Sequence, residues 1–345
     1  VDLTTEYAIN RTLSLQVGYV GQMGQHIEDY GNLNQYLVNG DPTSAPYYNN
    51  QYLGVNAIDP SVSIGSNSLL ITESRAASNY SALQTVLRQR TTHGLEFTFN
   101  YTYGKALTNS AGNYPLNVAG ASNYGQGAFQ NYYDSGADWG PAGYDIKHSI
   151  SATGVYALPV GRGKEYLSGV NRLVDEAIGG WKISLAAIGY TGFPETIQAS
   201  ESNNSNSDGN ARPNQYLPIK IVHRSLTHWF GTDPSATPCT KDGATVNANR
   251  QACTFGNPTA NTFGDARNGN TRGPGYLNID MSAFKDFHTF REQTIGFRFD
   301  AFNAFNIVSY GNPDVGIADG TFGNVYDQGV RSVERHLQFS ANYRF

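Results

Sequence analysis

Residues that could do chemistry are scattered through this chain at spacings that support very little of it. Asn204-Ser205-Asn206-Ser207-Asp208-Gly209 has the outline of a calcium loop. Asn occupies the first ligand position, however, and Gln215 stands where a bidentate Glu belongs, so a flexible polar loop is the better reading. His223 and His228 have no acidic partner in a zinc-protease pattern and read as solvated loop residues. Gly163-Lys164 is followed by Glu165, with no glycine at P-loop spacing, which leaves nucleotide binding unsupported. Cys239 and Cys253 are far from a Cys-x-x-Cys arrangement. With no nucleophile elbow and no paired-carboxylate signature, nothing argues for an enzyme, a metal or a cofactor. What remains is a set of charges, Glu6, Arg88, Glu96, Lys182, Asp280, Arg298, Asp300 and Arg344, each inside an alternating run and opposite its apolar side.

Those runs are the elements that must position the charges. Strand side chains repeat with a period of two, so alternation separates an apolar face from a polar one. Val1, Leu3, Thr5, Tyr7 and Ile9 alternate with Asp2, Thr4, Glu6 and Ala8; Asn10-Arg11 turns the chain, and Leu13, Leu15, Val17 and Tyr19 return. Leu83, Thr85 and Leu87 mark a third strand, and a break at Thr91-Thr92-His93 leads to a fourth. There Leu95, Phe97, Phe99, Tyr101 and Tyr103 oppose Glu96, Thr98, Asn100 and Thr102. A fifth strand is expected at 148–158 and a sixth from Trp181. Two more follow in YLNIDMSAFKDFHTF and TIGFRFDAFNAFN, and the last is HLQFSANYRF. Between 159 and 180, Leu167, Val170, Leu173, Val174 and Ile178 recur at helical spacing, which predicts a short amphipathic helix.

Short connections are expected at 10–11, 91–93 and 288–293, together with the helical turn at 159–180. Long polar ones are expected at 21–79, 104–146, 199–275 and 308–332. Long and short alternate strictly, as in a transmembrane barrel with short periplasmic turns and long external loops. The expected fold is therefore all-β: an antiparallel transmembrane β-barrel, partial, of about nine strands, with long extracellular loops and one short periplasmic helix. On such a wall an Arg facing lipid near the midplane would cost ~2–4 kcal/mol. The strand charges are accordingly placed in the lumen, where they form a solvated wall or contact a plug or solute. Tyr19, Tyr101, Tyr103, Trp181 and Tyr343, near strand ends, read as interfacial girdle residues. Cys239 and Cys253 would share one external loop in an oxidising compartment. That suggests a local disulfide worth about 3 kcal/mol at most, stiffening the loop, the alternative being two free thiols.

Composition agrees. Of 345 residues only 15% are charged, against about 25% in typical soluble domains. The chain holds 23 Tyr, 17 Phe and 38 Gly. Mean hydropathy is -0.43, no obstacle for a barrel that hides its apolar residues in alternation, and no run is long enough for a spanning helix. The net charge of -5, with no basic cluster, excludes a nucleic-acid partner. Val1-Asp2-Leu3 starts inside a strand pattern without a signal peptide, so a mature or truncated piece of a longer protein is expected.

The final run carries a resemblance. Its apolar side ends Phe339, Ala341, Tyr343, Phe345, which resembles the C-terminal assembly signal of outer-membrane β-barrels, aromatic at the last residue and at alternate positions before it. ARNGNTRGPGYLNIDMSAFKDF followed by FRFDAFNAFN looks like the C-terminal region of TonB-dependent outer-membrane receptors, specifically the Oar-like group. LPVGRGKEYLSG and GGWKISLAAIGYTGFP resemble the helical turn and following strand of that group; the match runs from about Asn79 to Phe345. Such receptors are similar to one another in having a barrel of about 22 strands around a plug. No plug or TonB-contacting box is found in residues 1–345, so the resemblance makes the whole chain a C-terminal portion of the barrel.

The resemblance implies energy-coupled import of an unidentified large solute through the bacterial outer membrane. Its implied partners are TonB and the inner-membrane proton-driven complex, reached through the plug. The barrel assembly machinery, outer-membrane lipid and an unknown ligand complete the set. From other classes, a surface adhesion or structural protein, or a passive porin, remains open; a soluble secreted β-protein fits least.

Overall fold

The computed structural model describes residues 1–32, 70–110, 129–199, 211–219, 221, 224–230, 240–241, 244–245, 254–259, 262–288, 293–326, 329 and 334–345. Nine long strands carry it: β1 (Asp2–Ala8), β2 (Leu13–Asn32), β3 (Leu70–Thr92), β4 (Leu95–Thr108), β5 (His148–Ala157), β6 (Lys182–Tyr190), β7 (Tyr276–His288), β8 (Thr294–Phe302) and β9 (His336–Arg344). Each pairs antiparallel with the next in chain order, giving one continuous sheet. The single described α-helix, α1 (Arg172–Ile178), lies in the β5–β6 connection. Its N-cap Asn171 accepts a hydrogen bond from the Val174 N–H, and it is shorter than the expected segment 159–180.

The sheet register turns sequence alternation into two faces. Leu3, Tyr19, Leu83, Tyr103 and His148 are successive partners across five strands and form one outward row. At the opposite end of the outward face, Ile295 partners Tyr343. The Phe287, Phe297 and Phe339 rings follow one another at centroid distances of 5.5 and 5.9 Å. From Leu95 to Tyr103 the strand is about 27 Å long, or about 20 Å along the membrane normal at a tilt near 40°, close to the apolar band of such barrels. Leu3, Leu337 and Phe339 on this face are 73%, 61% and 67% exposed, which suits a lipid-facing surface.

At the short-connection end, His93 and Gly94 (φ 47° and 79°) make a two-residue hairpin. Both dihedrals are left-handed, which matches the twist of the flanking strands. At the other end two expectations are corrected. β2 and β3 run on to Asn32 and from Leu70, so residues 21–32 and 70–79 of the stretch expected to be a loop over 21–79 are a strand pair. Beyond Met23 the pair joins the external connections, where the polar Asp29 and the small Ala76 are both fully buried, so period-two hydrophobicity stops while hydrogen bonding continues. Shifts in register fall at Gly24/Ile27 and Ile27/Glu28. From Tyr19 to Asn32 this hairpin adds roughly 40 Å of strand beyond the outward tyrosine row. Conversely, the strand expected through FDAFNAFN ends at Phe302. Asn303 and Asn306 take left-handed φ of 46° and 53°, and Asn303 Oδ1 accepts from the Ile307 N–H.

Candidate functional site

Two features outside the lipid band could meet a solute: the polar face of the wall and the external connections above it. Every strand charge singled out in the sequence falls on one face by register. Glu6 partners Gln16, Arg88 partners Ser14 and Thr98, and Glu96 partners Val155. Lys182 partners Ala157 and Phe284, Asp280 partners Ala186, and Arg298 partners Phe284 and Ser340. Asp300 partners Ser282 and Gln338, and Arg344 partners Thr294. Glu96, Val155, Ser184, Ser282, Asp300 and Gln338 therefore form one lateral row.

The row is hydrogen-bonded across strands. Arg298 Nε donates to both oxygens of Asp300 at 2.7 and 3.0 Å, and its Nη2 donates to Ser282 Oγ at 3.0 Å. Ser282 Oγ in turn donates to Asp300 Oδ1. Asp280 Oδ1 accepts from the Asn303 N–H at 2.8 Å and from Asn278 Nδ2 at 3.0 Å. Glu96 accepts from Thr91 Oγ1 at 2.7 Å, and Arg344 pairs with Asp286 at 3.6 Å. A shallow concavity opens here, lined by Glu96, Thr98, Asp280, Ser282, Arg298 and Phe302. With Arg298 half exposed beside an acidic surround, it offers polar and ionic contact. Among the described residues there is no group of acidic, histidine and cysteine side chains able to hold a metal ion.

The described parts of the external connections pack against one another. Arg212 and Asp138 form an ion pair with both side chains nearly fully buried. Arg212 Nε also donates to the Ala266 carbonyl at 2.8 Å and its Nη2 to that of Ala137 at 3.1 Å. Gln130 accepts from the Arg212 N–H at 2.7 Å and donates to the Gly264 carbonyl at 2.9 Å. Every polar edge of the guanidinium is thus used, which a buried charge requires. Burial pushes the Asp138 carboxyl above its ordinary range, against the opposing pull of Arg212. Gly264 packs backbone on backbone here: a Cβ would sit 1.9 Å from the Arg212 carbonyl oxygen.

A second pair, Arg272 with Asp145, joins the same two connections, and Arg272 Nη1 donates to the Gly192 carbonyl at 3.0 Å. Ile197, Phe230, Phe255, Ala266, Ile317 and Phe322 make a small apolar core, the last two from the β8–β9 connection. The β2–β3 hairpin is tied in through Arg75, whose guanidinium lies 4.2 Å from the Tyr132 ring centroid and donates to the Tyr132 carbonyl at 2.6 Å. Four long connections therefore share one packed assembly. Sequence reading missed Asp138, Asp145, Arg212 and Arg272, because partners so far apart in the chain have no local spacing to reveal them. Cys239, Cys253, His223 and the Asn204–Gly209 stretch lie outside the described residues.

A nine-stranded antiparallel wall with one apolar and one polar face, short turns at one end and packed connections at the other, defines an outer-membrane β-barrel protein. The chain belongs to the outer membrane beta barrel domain family, whose model matches residues 1–338. No curated protein matches it. Among solved structures, the outer membrane transporter YddB from Escherichia coli is similar at 7% identity and a TM-score of 0.42, over 99% of this chain and 31% of that one. The chain thus spans about a third of that transporter's length. Family and fold together place the protein in the bacterial outer membrane.

Proposed function

We propose that this chain forms the C-terminal part of the barrel of an Oar-like, TonB-dependent receptor that imports a large solute using energy from the inner membrane. The supporting observation is the combination of an open wall with a built external assembly. Among the described residues β1 and β9 each have a single strand partner and do not pair with one another. Unpaired edges are very costly in lipid, so the wall calls for additional strands, as in the large plugged barrels. The external connections, held by buried ion pairs, offer a preorganised surface for capture. Glu6, Arg88, Glu96, Lys182, Asp280, Arg298, Asp300 and Arg344 then line the passage, touching the plug or the solute, and the protein performs no covalent step. TonB and its proton-driven complex act through the plug, and the barrel assembly machinery inserts the wall, with Phe339, Tyr343 and Phe345 as its recognition residues.

The test is uptake of a panel of large labelled solutes by cells carrying the full gene, with and without a protonophore. Accumulation that depends on the gene and stops with the protonophore supports the reading. Protonophore-independent uptake, together with swelling of liposomes holding the purified protein, would instead establish a passive porin.

A further inference from the structure

We propose that the 158–181 connection is a lipid-binding foot, seated on the phospholipid surface of the periplasmic leaflet beside the wall. Its place in the fold gives the first reason. The β5–β6 connection emerges at the same end as the short turns at 9–12 and 93–94 and the His288–Thr294 end of the β7–β8 pair, the periplasmic end.

Its side of the wall gives the second. Lys285 partners Phe297 and so belongs to the outward, lipid-facing row, where an uncompensated charge is unfavourable. Lys285 Nζ instead donates to the Glu176 carbonyl and lies 3.5 Å from that of Asp175, both in the last turns of α1, where backbone carbonyls favour a cation. Its Nζ also sits 4.5 Å from the Phe287 ring centroid. The Trp181 indole N–H donates to the Ala177 carbonyl at 2.9 Å. The helix is therefore pinned to the lipid side of the sheet by its C-terminal end.

The third reason is what the connection leaves uncovered. Backbone bonds from Leu158 to Trp181 (2.9 Å) and from Gly161 to Tyr166 (3.0 Å) hold it in shape, as does the Arg162 N–H on Asp175 Oδ1 (2.6 Å). Yet α1 buries none of its residues, and Leu173 is 84% exposed, with Tyr166, Leu167 and Val174 also exposed. A held segment with large apolar side chains turned outward, continuous with a lipid-facing wall, suits the boundary between headgroups and acyl chains. Exposed Arg162, Lys164 and Arg172 on the same connection can meet phosphate groups.

The experiment places a reporter at the most exposed position. The full gene-encoded Leu173→Trp protein is reconstituted in phosphatidylcholine vesicles brominated either near the headgroup or near the bilayer centre. Its emission is compared with that of the unsubstituted protein. The added emission should be blue-shifted and lose most of its intensity to shallow bromines, and lose less to deep ones. A Leu226→Trp control in the external assembly should lose none. If Leu173→Trp fails to assemble, Tyr166→Trp reads the same surface. Added emission that stays water-like and unquenched by either lipid overturns the proposal. So does emission that is blue-shifted but unquenched, which would mean that protein covers the foot.

Discussion

The wall and the external assembly solve the same problem, holding long antiparallel strands in place, by opposite means. In the wall, stability comes from an uninterrupted ladder and from side chains that alternate between lipid and water. Each strand needs only its neighbours. In the assembly, ladders are reduced to pairs such as Phe255–Gly256 on Asn214–Gln215, and the fold is held by buried charges and one small apolar core. A wall of this kind tolerates many substitutions that respect face. An assembly of that kind depends on a few residues, because an ion pair broken on one side leaves an uncompensated buried charge.

The largest effect is therefore expected in the assembly. Arg212→Met should cost about 3–5 kcal/mol of its local stability by stranding Asp138. Hydrogen exchange and limited proteolysis should show residues 129–145 and 211–219 opening while β4–β9 stay protected. Asp138→Leu in the same protein should restore most of the loss.

This substitution also has a pH signature. Without Arg212, burial outweighs the remaining Gln130 N–H bond to Asp138 and holds its carboxyl above the unfolded value, so the folded state binds the extra proton. Stability then rises as pH falls through that window. The Arg212→Met defect should accordingly shrink on acidification from neutral pH. A defect that grows on acidification would contradict the assignment of Asp138 as the stranded charge.

Next in size are substitutions that test the two faces of the wall. Phe99→Arg on the outward face should cost about 2–4 kcal/mol in denaturant unfolding from lipid vesicles, because it puts a charge near the midplane. Thr102→Arg, on the polar face opposite the uncharged Gln84 and Ser149, should leave stability almost unchanged. Gly264→Ala should cost about 1–3 kcal/mol, since backbone would have to move, and the loss should appear only in the assembly. Arg298→Ala removes a half-exposed ion pair and should cost at most about 1 kcal/mol. Its effect belongs in solute uptake, and a larger stability loss would make the polar row a structural lock instead.

The same contrast explains what was legible in the sequence. Leu95 to Tyr103 announces its strand and both its faces because lipid on one side and water on the other select different residues at every step. Once β2 passes Met23 that selection disappears, and residues 24–32 read as loop although they continue the ladder. Asp138 and Arg212, in separate connections, look like ordinary solvated charges until the fold brings them together. Lys285 was hidden differently, as a charge in an apolar row whose compensation lies on α1.

The central claim is that the strands form a membrane wall with opposite faces in lipid and water. A spin-label scan along β4 from 95 to 103, in a Cys239→Ser, Cys253→Ser background and in vesicles, tests it most directly. Labels at 95, 97, 99, 101 and 103 should collide with oxygen dissolved in the bilayer. Labels at 96, 98, 100 and 102 should collide with a water-soluble nickel chelate, giving a period of two. Accessibility to water at every position, or alternation of the opposite sense, would contradict the account.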